Sequence, residues 1–97
     1  MMPFYKAAEV IGDRWTLLII QQFQAERSLS FTELMGRIPG IATNMLSSRL
    51  EKLVSHGIVR VAADRTDRRK RVYSPTPKAD GVFRVLRAIE LWCNKQD

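Results

Sequence analysis

The side chains most able to take part in chemistry fall in two polar segments, and both suit binding to a polyanion better than catalysis. The first segment, residues 43–49, combines short hydrogen-bonding side chains with one arginine. Asparagine can pair with adenine, arginine can contact guanine or phosphate, and serine or threonine can contact either base. The candidate contacts in this segment are Thr43, Asn44, Ser47, Ser48 and Arg49.

The second segment, residues 64–71, is strongly basic. Two aspartates, Asp64 and Asp67, lie among five basic residues, of which four are candidate DNA contacts: Arg65, Arg68, Arg69 and Lys70. A charge run of this kind is usually a solvated loop, and the sequence alone leaves that alternative open. At a hairpin tip beside a DNA-reading helix, it would instead suit contact with phosphates or the minor groove.

Residues suited to catalysis or metal binding are sparse. His56 and Cys93 are the only residues of their types and lie far apart in the chain. They therefore make neither a metal site nor a pair of nucleophile and base. The chain also lacks a glycine-rich phosphate loop. We therefore predict no enzyme activity, no cofactor and no metal.

Length and composition set further limits. The 97 residues suit one domain over residues 1–97, and sixteen Lys and Arg against ten Asp and Glu give a net charge of +6. This excess favours nucleic acid or an acidic surface as a partner. A single cysteine excludes an intrachain disulfide and predicts a reducing, cytoplasmic location. The longest uncharged stretch, residues 15–25, is too short to cross a bilayer, so we expect no membrane partner.

The first polar segment lies on a predicted helix of about residues 43–56. Leu46, Leu50 and Leu53 recur at helical spacing and predict one inward face, with polar side chains opposite. Proline and glycine in residues 38–41 predict a tight turn before this helix, and Gly57 predicts its end. A helix whose outer face is merely solvated would show the same periodicity.

The basic segment lies between two predicted strands, residues 58–63 and 71–74, and so forms the tip of a hairpin. The remaining pattern predicts a helix from Pro3, a buried helix over residues 15–23, a short strand at 28–31, a helix capped by Thr32, and a last helix starting at Thr76. This order describes a mainly α protein with a small β-hairpin (α+β), a winged helix-turn-helix.

Three single residues each have a structural and a functional interpretation. Trp15 could line a ligand pocket, but a tryptophan in so apolar a helix usually belongs to the core. His56 lies at the end of the DNA-reading helix, where a structural role suits it. Cys93 lies on the apolar stripe of the last helix, where we expect a small buried hydrophobe; a redox role is the alternative.

The two ends of the chain predict a homodimer. The last helix is amphipathic and is too long to cover its whole apolar stripe on so small a domain. Together with the first helix it would form a two-fold interface. The candidate interface residues are Phe4, Ala7, Ile11, Val85, Leu86, Ile89, Trp92 and Cys93.

Four motifs resemble those of the HxlR-type winged-helix regulators. Residues 12–20, GDRWTLLII, resemble the signature G-x-[KR]-W-T-x-x-I-[LI], and residues 31–34, FTEL, resemble R-F-x-E-L. Residues 38–50, IPGIATNMLSSRL, resemble I-x-G-I-S-x-x-x-L-S-x-R-L, and residues 53–59, LVSHGIV, resemble L-x-x-x-G-L-[IV]. The resemblance covers nearly the whole chain and implies a dimeric DNA-binding regulator.

Three positions depart from that pattern. Met2 precedes Pro3 where many relatives carry a redox-sensing cysteine, which removes that thiol. Ala42 replaces the serine that usually caps the DNA-reading helix, so we expect Thr43 to take over the cap. The basic segment is more like the D-x-R-D-R-R wing of MarR regulators, which implies that Asp67 orients an arginine and that Arg69 reaches a groove.

The sequence thus predicts a regulator that binds a pseudo-palindromic site in double-stranded DNA as a homodimer. Residues 43–56 would read the major groove, and the basic wing, residues 64–71, would contact the backbone or minor groove. One rival is a winged-helix protein-interaction module without specific DNA binding. The other is RNA or non-specific binding, although no solvent-facing aromatic pair suits unpaired bases. A small-molecule effector could bind near the dimer interface, but no residue marks its pocket.

Overall fold

The structure, a computed structural model, describes residues 1–96, where five helices surround a small three-stranded sheet. In chain order the elements are α1 (Phe4–Ile11), α2 (Arg14–Ala25), β1 (Leu29–Ser30), α3 (Phe31–Arg37), α4 (Thr43–Ser55), β2 (Val59–Ala63), β3 (Arg71–Pro75) and α5 (Ala79–Cys93). Helices α3 and α4, joined by a tight turn and followed by the β2–β3 hairpin, confirm the predicted winged helix-turn-helix.

The hairpin is anchored to the core by its inner face. Strand β3 lies between β1 and β2 and is antiparallel to both. Tyr73 pairs with Leu29 on one side and with Val61 on the other, and all three belong to the hydrophobic core or pack against it. The short strand predicted within residues 28–31 is thus the third strand of the wing sheet.

Helix α2 is the central element of the core. It contacts α1, α3, α4 and α5, and its Thr16, Ile19, Ile20 and Phe23 are buried. Trp15 is half-buried and packs against the core, so the structural reading of this residue is confirmed. Its Cη2 atom would lie 4.0 Å from a Cβ built on Gly40, which places the indole under the turn before α4.

Two predicted helix caps are wrong. The cap of α3 is Ser30, not Thr32: the Ser30 hydroxyl accepts a bond from the Glu33 N–H (3.1 Å), and the Glu33 carboxylate accepts one from the Ser30 N–H (2.8 Å). This reciprocal pair satisfies two donors that the helix start leaves free. The N-cap position of α4 is Ala42, which offers no side-chain bond, and Thr43 is the first helical residue and does not replace the missing serine.

Glycines flank α4 on both sides. Gly40, with φ of +83°, makes the turn between α3 and α4, and Gly57, with φ of +72°, ends α4 after His56. Both have left-handed conformations that side chains with a Cβ rarely adopt. The predicted stop at Gly57 is therefore confirmed, one residue after the cap position that His56 occupies.

Helix α5 begins slightly later than predicted. Its first residue is Ala79, but Thr76 still organises the approach, because its hydroxyl accepts a bond from the Lys78 N–H and donates to the carbonyl of Gly57. This bond ties the start of α5 to the end of α4.

Candidate nucleic-acid interface

The outer face of α4 presents the short polar side chains that the sequence singled out. The inner leucines of this helix, at positions 46, 50 and 53, are at most 1% exposed. On the opposite side the exposed residues of the first two turns are Thr43, Asn44, Ser47 and Ser48. The core thus holds the helix by one face and leaves its polar face open to a partner.

The wing strands lie beside this helix across an open groove of about 550 Å³. The groove is lined on α4 by Ser47, Glu51 and Ser55 and on the two wing strands by Val61 and Arg71. The polar helix face and the base of the basic wing are therefore neighbours on one side of the molecule.

Asp64 gives the basic wing a defined loop conformation. Its Oδ2 accepts bonds from the Thr66 hydroxyl (2.6 Å) and from the N–H groups of Thr66 and Asp67 (3.0 Å each). The bond from the Thr66 hydroxyl, followed in effect by the bonds from the two backbone N–H groups, holds the pKa of Asp64 below its usual range. Asp64 therefore remains ionised at neutral pH, and this loop is ordered by local hydrogen bonds.

Asp67, which the MarR-like wing implies orients an arginine, contacts Arg69. Its Oδ1 accepts bonds from the Arg69 backbone N–H (3.1 Å) and from Nε (3.4 Å), yet 93% of the Arg69 side chain remains exposed. Three further basic side chains of the loop are exposed: Arg65, Arg68 and Lys70. The loop thus carries four accessible cations on an ordered backbone.

Arg49, predicted to contact phosphate or a base, binds an acidic group of its own chain in this structure. Its Nε lies 3.2 Å from Asp13 Oδ1 and its Nη1 lies 3.0 Å from Ser48 Oγ, and only 26% of its side chain is exposed. A DNA contact by this guanidinium would therefore compete with Asp13.

Asp13, which binds Arg49, is the site residue that the sequence reading missed. Aspartate is among the residues favoured immediately before a helix, so Asp13 at the start of the apolar run is the signal that could have found it. Burial raises the pKa of Asp13, but bonds from the Thr16 hydroxyl, the Thr16 N–H, Arg49 and Lys52 outweigh it. Together they hold that pKa well below its usual range.

A second exposed surface is apolar and lies on α1, α2 and α5; we call it the apolar face. Its large exposed side chains are Phe4, Tyr5, Leu18, Val85, Ile89, Leu91 and Trp92. Phe4 is 88% exposed, and Tyr5 and Trp92 are each 63% exposed. Leu18 of α2 and Ile89 of α5 line one shallow groove, and many exposed apolar side chains on a small domain usually mark a binding site.

The predicted interface residues fall into three groups. Phe4, Val85, Ile89, Trp92 and Cys93 are exposed, and Ala7 and Ile11 are half-buried. Leu86 is only 5% exposed, so its placement in an interface is wrong: it packs into the core of its own chain. Cys93, expected to be a buried hydrophobe, is exposed near the end of α5.

Other kinds of site find no support in residues 1–96. In this range no three metal-ligating side chains come together as an ion would require. Nor does any helix within it have the length and apolarity needed to cross a membrane.

Known proteins with similar sequences and structures are transcriptional regulators. A family model described as HxlR-like helix-turn-helix matches residues 10–97. An uncharacterized HTH-type transcriptional regulator of Halalkalibacterium halodurans, BH0655, is 30% identical over 93% of this chain and 80% of its own length.

Two solved structures share the fold along almost their whole length. A protein of Porphyromonas gingivalis, described as a MarR-family transcriptional regulator, is 31% identical with a TM-score of 0.81, covering 98% of this chain and 92% of its own. The reduced form of the regulator YodB from Bacillus subtilis is 27% identical with a TM-score of 0.80, covering 99% and 95%.

The family match decides between the two resemblances noted in the sequence. The MarR-like pattern is confined to the wing, whereas the family model spans α2 to α5 and the end of α1. The family consists of transcriptional regulators and not of enzymes. This chain belongs to the HxlR-like helix-turn-helix family of transcriptional regulators.

Proposed function

We propose that this regulator binds specific sequences of double-stranded DNA as a homodimer, with α4 in the major groove and the basic wing on the backbone or in the minor groove. The observation that carries the proposal is the exposed polar face of α4 beside the basic wing. Short polar side chains can read base edges, while arginines and lysines bind phosphates whatever the sequence.

Each part of this surface has its own task in the proposal. Thr43, Asn44, Ser47 and Ser48 lie in the first two turns of α4, which is the part of a DNA-reading helix that reaches base edges. The exposed cations of the wing, Arg65, Arg68, Arg69 and Lys70, neutralise phosphates and release counterions. Arg49 contributes indirectly through its bond to Asp13.

The apolar face supports the homodimer. A charged domain of 97 residues, with a net charge of +6, is expected to expose this many large apolar side chains only where a partner covers them. Val85, Ile89 and Trp92 lie along one side of α5 and would meet their own copies across a two-fold axis. Two copies of α4 would then read half-sites roughly 34–36 Å apart, or a multiple of that distance.

Arg69→Ala tests the role of the wing. We expect weaker binding to every duplex, and a plot of log affinity against log salt that is flatter by about one counterion per wing. The cause is the loss of one exposed guanidinium without any change in the groups that read bases. The measurement is equilibrium binding to a random-sequence duplex over a series of salt concentrations.

Arg87→Ala is the matched control, because Arg87 is an exposed arginine of α5, outside both α4 and the wing. It should bind and respond to salt as the parent does. Equal salt dependence for the Arg69 variant and the parent would contradict the proposed wing contact. If the parent binds all duplexes equally and weakly, a winged-helix protein-interaction module becomes the better description.

A further inference from the structure

Four donors converge on the carboxylate of Asp13 in the turn between α1 and α2. Oδ1 accepts bonds from the Thr16 N–H (3.0 Å) and from Arg49 Nε (3.2 Å). Oδ2 accepts bonds from the Thr16 hydroxyl (2.7 Å) and from Lys52 Nζ (3.3 Å). One side chain thus caps α2 and binds two cations of α4 that are one turn apart.

Lys52 extends the same cluster to α1. Its Nζ also donates to the backbone carbonyl of Glu9 at 3.0 Å, in the last turn of α1. The side chains of Asp13, Arg49 and Lys52 are 33%, 26% and 27% exposed, so the ion pairs are partly shielded from water. Shielded pairs with several hydrogen bonds hold geometry better than freely exposed pairs do.

The turn before Asp13 requires a glycine. A Cβ on Gly12 would lie 2.1 Å from the carbonyl oxygen of Ala8. Within α1 only Val10 is buried, and Ile11 packs against the core. The bond from Lys52 to the Glu9 carbonyl therefore adds a polar contact between α1 and α4 to these apolar contacts.

We propose that Asp13 is a positioning residue for DNA recognition: its carboxylate fixes α4 against the α1–α2 turn and keeps Arg49 off the phosphate backbone. This inference rests on the proposed DNA contact of α4. Arg49 adjoins the outer face of α4, since its Nη1 binds Ser48 Oγ. While Arg49 is bound to Asp13, its charge orients α4. If Arg49 were released, its charge would add affinity for any DNA.

Lys52 gives the cluster a second consequence. Because this lysine bonds both Asp13 and the Glu9 carbonyl, a displacement of α1 must be followed by α4 or must break one of these two bonds. Helix α1 carries Phe4 and Tyr5 of the apolar face. Asp13 thus links the surface proposed for dimerisation to the surface proposed for base contact.

Asp13→Asn is the decisive variant because asparagine caps a helix as well as aspartate does. The Thr16 N–H can still donate to the remaining Oδ1, while the charge and the acceptor at Oδ2, which binds Lys52 and the Thr16 hydroxyl, are lost. The probes are the duplex enriched by selection from a random pool and a scrambled duplex of the same composition. We expect the ratio of the two affinities to fall roughly tenfold or more. We also expect the salt dependence to steepen by about one counterion for each Arg49 released.

Glu9→Gln is the matched control. It makes the same charge change one turn away, and the Glu9 side chain takes part only in an exposed pair with Lys6 at 3.9 Å. It should retain the parent's affinity ratio and salt dependence. Adding Arg49→Gln to the Asp13→Asn variant should return the salt dependence to the parent value while the specific affinity stays low.

Arg49→Gln alone removes the other partner of the Asp13–Arg49 ion pair. It tests the inference even if the Asp13→Asn variant does not fold. It should lower specific affinity and leave the salt dependence unchanged. If it flattens the salt dependence as Arg69→Ala does, Arg49 itself contacts phosphate and the inference is overturned. If Asp13→Asn keeps the parent's ratio of specific to scrambled affinity, the positioning role of Asp13 is wrong but the proposed function stands. If the parent itself selects no duplex, the proposed function is wrong as well.

Discussion

Trp92→Glu is expected to convert the regulator to a monomer and to lower its affinity for a palindromic duplex by roughly 10²–10⁴-fold. Trp92 is 63% exposed on the proposed dimer surface, one turn after Ile89 on the same side of α5. Across a two-fold axis the substitution would bury two carboxylates among apolar side chains, which is strongly unfavourable. The two half-sites would then be bound independently, and the gain from linking them would be lost.

The control for this variant is Gln24→Glu, which adds the same charge at an exposed position of α2 that is not part of the apolar face. Molar mass by light scattering and duplex affinity should both match the parent for this control. A Trp92 variant with the parent's mass would refute the proposed placement of the interface. A monomeric parent at the concentrations where it binds DNA would refute the dimer itself.

Leu46→Ala is expected to have the largest effect on stability, a loss of about 2–5 kcal/mol in the free energy of unfolding. Leu46 is fully buried in the first turns of α4, between residues of the proposed base-reading face. Truncation removes apolar contacts and leaves a cavity under the helix. In a domain whose total stability is of the order of 5–15 kcal/mol, such a loss is a large fraction.

Urea unfolding at equal protein concentration measures this effect. Glu51→Ala, an exposed position on the same helix, should stay within about 0.5 kcal/mol of the parent. Similar unfolding midpoints for the two variants would show that the core does not hold α4 by its inner face, and the description of that helix would fail.

Elements that depend on local pattern were predictable from the sequence. The leucine spacing of α4, the glycines at both its ends and the strand-forming residues of segments 58–63 and 71–74 each act within a few residues. These features specified the helix-turn-helix and the hairpin, and the structure confirms both. The cap of α3 was misplaced by two residues, which is the usual uncertainty of helix ends when competing serine and threonine residues are adjacent.

The role of Arg49 was not predictable in the same way, because its partner Asp13 lies 36 residues earlier in the chain. Helical periodicity places Arg49 at the flank of the apolar stripe but contains no information on which acidic group lies opposite. The same limit explains Leu86: the stripe of α5 faces both the core and the apolar face, and periodicity does not separate the two.

The most direct test of the central claim is to select bound sequences from a pool of random duplex DNA, using the parent and Asn44→Ala in parallel. The parent should enrich an inverted repeat with half-sites about one helical turn, or a multiple of it, apart. The variant should keep the repeat but lose preference at one position of each half-site, at a cost of about 1–3 kcal/mol there. An identical motif for both proteins, or no motif at all, would contradict the claim that the outer face of α4 reads DNA.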